Sequence, residues 1–267
     1  MPGGACFSQL DLMVYGLYIS AEGAQAQSRR LEMISNNLAN VDTPGFKNEF
    51  AVFEARDAEA LQQNLDYAGS GSINNIGGGV MFRETKTNFA PGPITPSGNR
   101  EDLAIRGEGY FQVLHDDQVL LTRGGNFLFS PDGRLTTQEG FPVLNNQGAP
   151  VQVDPAAKAA HTGDYFNERG ELVIGGEAVP LAIVKPQSNA DLVKFGKNFF
   201  RPLAPVVPVA ANERLAAPGM LERSQANPIT EMMAMIETTR AYESNINMIK
   251  TQDEAIGNLL GRVLRQG

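Results

Sequence analysis

Hydrophobic side chains recur at helical spacing only at the two ends of the chain. Near the N-terminus, eight of ten positions that lie alternately three and four residues apart are apolar: Leu10, Met13, Leu17, Ser20, Ala24, Gln27, Leu31, Ile34, Leu38 and Val41. Near the C-terminus, the same spacing again selects eight apolar or aromatic residues of ten: Met232, Met235, Thr239, Tyr242, Ile246, Ile249, Asp253, Ile256, Leu260 and Val263. Such stripes are typical of coiled coils, so each end is predicted to form an amphipathic helix.

Local sequence marks where these helices begin and end. Asn227 can cap the second helix, Pro228 suits its first position, and Glu231 complements the positive end of the helix dipole. The first helix is expected to end near Val41, because Pro44-Gly45 favours a type II turn. Both boundaries are therefore predicted from local chemistry alone.

Polar residues within the helices leave two interpretations open. Three of them interrupt the stripes: Gln27, Thr239 and Asp253. Such residues either fix the register and partner number of a coiled coil or are exposed where the stripe drifts around the helix. Three asparagines crowd the end of the first helix: Asn36, Asn37 and Asn40. Their amides either end the helix or cross-link it to its neighbours.

The middle of the chain has a different pattern, in which short apolar runs alternate with turn signals. These runs are Leu103–Ile105, Tyr110–Leu114, Val119–Thr122, Phe127–Phe129, Val143–Leu144, Val151–Val153, Leu172–Ile174 and Val179–Val184. Turn sequences between them occur at 115–118, 130–133 and 145–148. This alternation predicts an all-β domain built from hairpins.

The predicted fold is a mainly β central domain with N- and C-terminal α-helices that pair as a coiled-coil-like layer. Five segments follow from the pattern. They are an N-terminal helix and turn (1–54), an extended Gly/Pro-rich connector (55–98), an all-β outer domain (99–203), a return linker (204–226) and a C-terminal helix (227–267).

Charge and composition exclude several classes of function. The formal net charge of −8 argues against sequence-independent nucleic-acid binding, which needs a basic face to displace counterions. The first basic residue is Arg29, and no apolar run approaches the roughly 18 residues of a membrane span. We therefore expect no membrane insertion and no cleaved signal peptide.

Candidate catalytic and metal-binding residues are few. The single cysteine, Cys6, can form neither an internal disulfide nor a thiolate cluster. His115 and His161 lie in turn-like polar sequence without the spacing of a metal motif. Asp116-Asp117 shares one turn, so its carboxylates are expected to point apart. The sequence predicts no catalytic residue, no metal site and no cofactor.

Two segments, Ser35–Lys47 near the end of the first predicted helix and Glu231–Glu243 in the second, resemble the bacterial flagellar basal-body rod and hook proteins. Ser35–Lys47 (SNNLANVDTPGFK) is similar to the N-terminal signature of that family, and Glu231–Glu243 is similar to its C-terminal signature. The resemblance continues in the middle of the chain through Asp102–Phe111, Thr122–Phe127, Asp132–Leu135 and Gly196–Phe200. One departure is Arg100-Glu101, which stands where the family usually has Pro-Leu and which bears on a single loop.

The resemblance implies a structural subunit that self-assembles through its terminal helices into the tubular rod of the flagellum, with the β domain facing outward. It implies three kinds of partner: copies of the chain, other axial proteins of the rod and hook, and the flagellar type III export apparatus. It also implies a location in the basal body across the periplasm. The residues expected at the assembly interface are Leu17, Ala24, Leu31, Ile34, Asn36, Asn37, Leu38, Asn40, Met232, Met235, Thr239, Tyr242, Ile246, Ile249, Ile256 and Leu260.

Other classes of protein stay open at this point. One is a secreted oligomeric β-domain binding module, or adhesin, whose helical arms only oligomerise it. Another is a soluble enzyme with helical dimerisation arms, which would need a convergent polar cluster that the sequence does not show. Within the rod proteins, the sequence separates neither the proximal from the distal type nor a start at Met1 from a start at Met13.

Overall fold

The computed structural model describes residues 9–57 and 77–263, and within them three α-helices form. They are α1 (Gln9–Ala39), α2 (Pro155–Ala160) and α3 (Pro228–Val263). The long helices α1 and α3 confirm the two helices predicted at the ends, and α3 begins at the predicted Pro228. After α1, Gly45 has a φ of 69° and the amide of Phe46 donates to the carbonyl of Thr43, which together confirm the type II turn.

The chain divides into two compact units. The first, here called the helix unit, consists of Met1–Leu38, Glu49–Thr87 and Pro228–Gly267. The second, here called the β unit, consists of Ala39–Asn48 and Asn88–Asn227. The fold is therefore mainly β with one long helix near each end, as the sequence predicts.

Besides α1 and α3, the helix unit contains an antiparallel hairpin of β1 (Glu49–Ala55) and β2 (Val80–Thr87). Its register shifts between Val52 and Phe53, which marks a β-bulge. This hairpin lies partly in the segment that the sequence predicts as an extended connector. The sequence does not predict β2, because the segment is rich in turn-forming residues and β2 pairs with residues more than twenty positions earlier. Residues 58–76 of the predicted connector lie outside the described part of the chain.

The β unit is organised around a six-stranded antiparallel sheet with the strand order β12-β13-β6-β5-β11-β14. Its strands are β5 (Tyr110–His115), β6 (Gln118–Thr122), β11 (Ile183–Lys185), β12 (Leu192–Phe195), β13 (Phe199–Pro202) and β14 (Val207–Pro208). Asp116 and Asp117, with φ values of 43° and 62°, form the tight turn between β5 and β6. This turn confirms the hairpin predicted at 115–118.

Four two-stranded sheets complete the β unit. They pair β3 (Ile94–Pro96) with β16 (Met220–Glu222), β4 (Leu103–Ile105) with β15 (Ala216–Pro218), β7 (Leu128–Phe129) with β8 (Leu135–Thr136), and β9 (Glu171–Ile174) with β10 (Glu177–Pro180). The segment predicted as a return linker thus contains β14, β15 and β16. The predicted strands at 143–144 and 151–153 form only isolated bridges, and the run Val179–Val184 divides between β10 and β11.

Both faces of the six-stranded sheet carry buried apolar side chains, because successive residues of a strand point to opposite faces. The larger core contains Phe111, Leu120 and Ile183, and the smaller contains Tyr110, Leu121 and Phe200. Rings of Phe111 and Phe127 meet edge to face at 5.0 Å. The alternation that predicts an all-β domain therefore also forms its two cores.

Across residues 9–57 and 77–263, no helix combines the length and apolar character that crossing a membrane requires.

Candidate assembly site

The two terminal helices contact each other within the helix unit at positions that carry small or polar residues. A Cβ atom placed on Gly16 would lie 2.9 Å from Nε2 of Gln252, and one on Gly23 would lie 3.2 Å from Nδ2 of Asn245. Farther along, the side chain of Asn37 hydrogen-bonds the carboxyl of Glu231. The glycines of α1 thus leave room for carboxamide side chains from α3.

These three contacts share one antiparallel register. Contacting positions on α1 are separated by seven and fourteen residues, and each step toward the C-terminus of α1 is matched by an equal step toward the N-terminus of α3. This spacing describes two helices that run side by side in opposite directions.

The carboxyl of Glu231 titrates abnormally at this contact. Burial raises its pKa, because the charged form loses solvation, and the hydrogen bond from Asn37 lowers it in part. Glu231 is also in the first turn of α3, where a carboxylate complements the helix dipole.

The predicted interface residues of α1 lie mostly on buried or half-buried positions. Ala24 and Ile34 are buried, and three leucines are half-buried: Leu17, Leu31 and Leu38. The end asparagines bind within the chain, since Asn36 and Asn37 both donate to Glu49, to its carboxylate and its carbonyl oxygen respectively. Asn40, in the β unit, accepts from the hydroxyl of Thr43.

The predicted interface residues of α3 are more exposed in the single chain. Six of them are half-buried: Met235, Thr239, Tyr242, Ile246, Ile249 and Ile256. Met232 is exposed, as is Asp253, the polar residue on the same stripe. The side chain of Leu260 lies outside the described part of the chain.

The α3 residues that contact α1 lie along a line of the helix surface that the predicted stripe does not include. Each of them immediately precedes a residue of the stripe, at every second stripe position. Glu231, Asn245 and Gln252 lie immediately before Met232, Ile246 and Asp253. Thr238, which belongs to the same seven-residue line, is 1% exposed. Sequence reasoning missed this line because its residues are polar. Its signal was the pair of glycines seven residues apart on α1.

A second apolar surface on α3 is exposed to solvent. Met232, Met233 and Ile236, here called the methionine patch, are 47%, 67% and 55% exposed. At about 100° per residue, Met233 and Ile236 are rotated roughly 200° and 140° from Glu231. The methionine patch therefore lies away from the line that contacts α1.

Three charged side chains form a buried cluster in the β unit, here called the clasp. Nζ of Lys47 lies 2.6 Å from Oε1 of Glu222, and Nη1 of Arg123 lies 3.2 Å from Oε2 of the same carboxylate. The side chains are 0%, 1% and 5% exposed for Lys47, Glu222 and Arg123. Lys47 also donates to the carbonyl of Ala90 at 2.7 Å, and the amide of Gly92 donates to Glu222 at 3.0 Å.

The clasp joins the segment that follows α1 to the segment that precedes α3. The amide of Gly45 donates to the carbonyl of Glu222 at 2.8 Å, and the amide of Gln225 donates to the carbonyl of Phe46. Gly45 allows a close approach of main chains, because a Cβ there would lie 2.4 Å from the carbonyl carbon of Arg123. Its positive φ also favours glycine. The two segments are thus held by both side-chain and main-chain bonds.

Burial acts on the charge of Lys47 in the clasp. It lowers the pKa of Lys47, because the ammonium form loses hydration, while the charge of Glu222 opposes this shift and that of Arg123 adds to it. One carboxylate faces two cations, so the clasp depends on Glu222 more than on either cation.

Candidate residues for other chemistry are dispersed. His115 ends β5 and packs between the rings of Phe141 and Phe195, at 4.3 and 5.4 Å. Among the described residues, no group of three or more His, Cys, Asp and Glu side chains could hold a metal ion.

Comparisons with known proteins identify the family. Three family models match: flagella basal body rod protein (residues 17–47), flagellar hook protein FlgE/F/G D1 domain (104–179) and flagellar basal body rod FlgEFG protein C-terminal (217–262). The flagellar basal-body rod protein FlgF of Caulobacter vibrioides is 32% identical over 239 residues, which cover 89% of this chain and 93% of that protein. The chain belongs to the flagellar basal-body rod protein family.

Further rod proteins are similar over nearly their whole length. The rod protein FlgG of Buchnera aphidicola subsp. Acyrthosiphon pisum is 32% identical, with 92% of this chain and 99% of that protein covered. The FlgG of Bacillus subtilis is 28% identical, with 93% and 98% covered. Relatives with both names match at similar identity. This rod subunit is a structural protein of the flagellar basal body and not an enzyme.

Proposed function

We propose that this rod subunit self-assembles through its terminal helices, which pair as a coiled-coil-like layer within a tubular axial structure. The observation that carries the proposal is the methionine patch on α3. Three large apolar side chains of one helix are about half exposed or more, while another line of the same helix contacts α1. Exposed apolar patches of this kind mark interaction surfaces.

The antiparallel contacts between α1 and α3 support the pairing of the two helices. Their shared register and seven-residue spacing are those of a coiled coil. Full burial of one Met or Ile side chain contributes about 1.5–3 kcal/mol. Covering Met233 and Ile236 in every copy of a polymer would therefore favour assembly strongly.

The partners of the proposed assembly are copies of the chain and other axial proteins of the rod and hook. We further propose export through the flagellar type III apparatus without a cleaved signal, a rod that spans the periplasm, and an outward-facing β domain. The membership of the rod family supports these proposals. The sixteen interface residues inferred from the sequence are the proposed surface between helices, to which we add Met233 and Ile236.

The test places a charge on the methionine patch. We expect Met233→Asp to prevent formation of sedimentable polymer and to abolish swimming, because an unpaired carboxylate would be buried in each subunit contact. The control is Gln187→Asp, which puts the same charge on an exposed position of the β unit. Polymer formation and motility equal to those of the control would refute the proposed role of the patch.

A further inference from the structure

We propose that the clasp of Lys47, Glu222 and Arg123 sets the register in which the two terminal helices pair. The inference rests on the helix pairing proposed above and assigns its register to residues outside the helices. Lys47 lies eight residues after the end of α1 at Ala39, and Glu222 lies six residues before the start of α3 at Pro228. The clasp therefore holds together, within the β unit, the segment that follows α1 and the segment that precedes α3.

The chain lengths on the two sides of the clasp agree with the register of the helices. Lys47 is ten residues after Asn37, and Glu222 is nine residues before Glu231, which Asn37 contacts. The two segments thus differ in length by a single residue. Segments of nearly equal length thus connect the ion pair to the first contact between the helices.

The helices by themselves do not fix this register, because their pattern repeats every seven residues. A slip of seven residues would place Gly23 opposite Thr238 or Gln252 instead of Asn245, and each is another polar side chain of the same line. In one of these slipped arrangements, Arg30 would even face Glu231. The slipped pairs would keep the seven-residue repeat of both helices, so the repeat by itself does not exclude them.

The clasp can select one register because its contacts cannot slide. Lys47 and Glu222 are almost fully buried, and a buried charge without its partner carries a large free-energy cost. The carboxylate of Glu222 meets Lys47, Arg123 and the amide of Gly92 in a single arrangement. An apolar contact tolerates displacement, whereas this set of bonds is satisfied in only one alignment of the two segments.

Disulfide trapping in the purified full-length protein, with Cys6 replaced by Ser, can measure the register. The in-register pair is Gly23→Cys with Asn245→Cys, and the slipped pairs combine Gly23→Cys with Thr238→Cys or with Gln252→Cys. In a glutathione redox buffer, the intramolecular disulfide yield of each pair reports how often its two positions meet. With the clasp intact, we expect the in-register pair to dominate.

Two variants weaken the clasp to different degrees. The triple variant Lys47→Met, Arg123→Met, Glu222→Leu removes all three charges and keeps apolar volume. The milder Lys47→Met leaves Arg123 and Glu222 as a compensated pair. The control Lys86→Met removes the same charge from an exposed ion pair with Glu84. We expect both clasp variants to lower the ratio of in-register to slipped disulfide, by about tenfold in the triple variant, and the control to leave it unchanged.

Circular dichroism of each variant separates a positioning role from a purely structural one. A changed disulfide ratio with an unchanged signal of the β unit supports the inference. An unchanged ratio in folded clasp variants would overturn it, and so would unfolding of both variants, because the clasp would then serve stability alone. If no cysteine pair forms a disulfide in the protein with an intact clasp, the proposed helix pairing is wrong and the inference fails with it. A polymer that still forms in that case would support self-assembly without this helix pairing.

Discussion

Nζ of Lys47 lies 2.6 Å from Oε1 of Glu222, although 175 residues separate the two along the chain. The ion pair is closed to solvent and shares its carboxylate with Arg123. Lys47 ends the N-terminal signature segment, and Glu222 lies within the segment that matches the C-terminal model of the rod family. The ion pair thus joins the segment that follows α1 to the segment that precedes α3.

Removing the shared carboxylate should destabilise the β unit strongly. We expect Glu222→Ala to lower the free energy of unfolding by about 3–5 kcal/mol, because two buried cations lose their only carboxylate partner within the clasp. The exposed Glu84→Ala should change it by less than about 1 kcal/mol. Urea unfolding followed by circular dichroism measures both, since the chain has no tryptophan for fluorescence. Equal effects at the two positions would contradict the assignment.

The carboxyl of Glu231 should favour the folded form of the helix unit at acid pH. Burial raises the folded-state pKa of Glu231 above its ordinary value of 4.5, so the folded state binds its proton more tightly than the unfolded state. This stabilising contribution is complete below pH 4.5 and is lost as the pH rises through the raised pKa. The hydrogen-exchange protection factors in the first turns of α3, which are corrected for the intrinsic pH dependence of exchange, should therefore fall over that range.

Glu231→Gln provides the control for this pH dependence. The amide has no proton to lose over this range, so we expect the protection factors in the first turns of α3 to become insensitive to pH near and above 4.5. A pH profile that the substitution leaves unchanged would show that another group controls the contact.

A charge at the centre of the α3 stripe should block assembly without unfolding the β unit. Ile246 is half-buried, and Ile246→Asp would put an unpaired carboxylate at a proposed contact between subunits. The control is Ser244→Asp, at an exposed position on the same helix. Sedimentation and motility should fail only in Ile246→Asp, while the β signal in circular dichroism stays unchanged. Assembly of Ile246→Asp at the control level would disprove the stripe as an interface.

Glycine at position 23 should be required for the close approach of the helices. A Cβ there would lie 3.2 Å from Nδ2 of Asn245, so Gly23→Leu should separate α1 from α3. Gly257→Leu is the matched control, because a Cβ on Gly257 meets no atom within 4 Å. We expect polymer formation to fall at least tenfold for Gly23→Leu and little for Gly257→Leu. Similar behaviour of the two variants would show that the approach is unimportant.

The terminal helices should be less protected than the β unit in the isolated subunit. The face of α3 that carries the methionine patch is uncovered in the single chain, so helical order is expected to increase when assembly covers it. Hydrogen exchange on dilute protein should be fast in residues 22–38 and 234–258 and slow in residues 103–144. Equal protection of the three segments would rule this out.

The sequence determined the features that depend on neighbours along the chain. Periodicity located α1 and α3, Pro228 marked the start of α3, and Pro44-Gly45 gave the turn after α1. Alternating apolar runs predicted the strands around the tight turn at Asp116-Asp117. These features follow from local backbone preferences and from the side-chain period, which are properties of short segments.

Tertiary structure decided which distant segments meet. Strand β3 pairs with β16, which lies more than 120 residues later in the chain. In the sequence alone, the segment that contains β3 therefore resembles a connector and the segment that contains β16 resembles a linker. The contact line on α3 follows Asn245 and Gln252, because the glycines of α1 leave space for polar side chains there. The clasp was also invisible in the sequence, since a lysine, an arginine and a glutamate attract each other only after folding removes them from water and places them together.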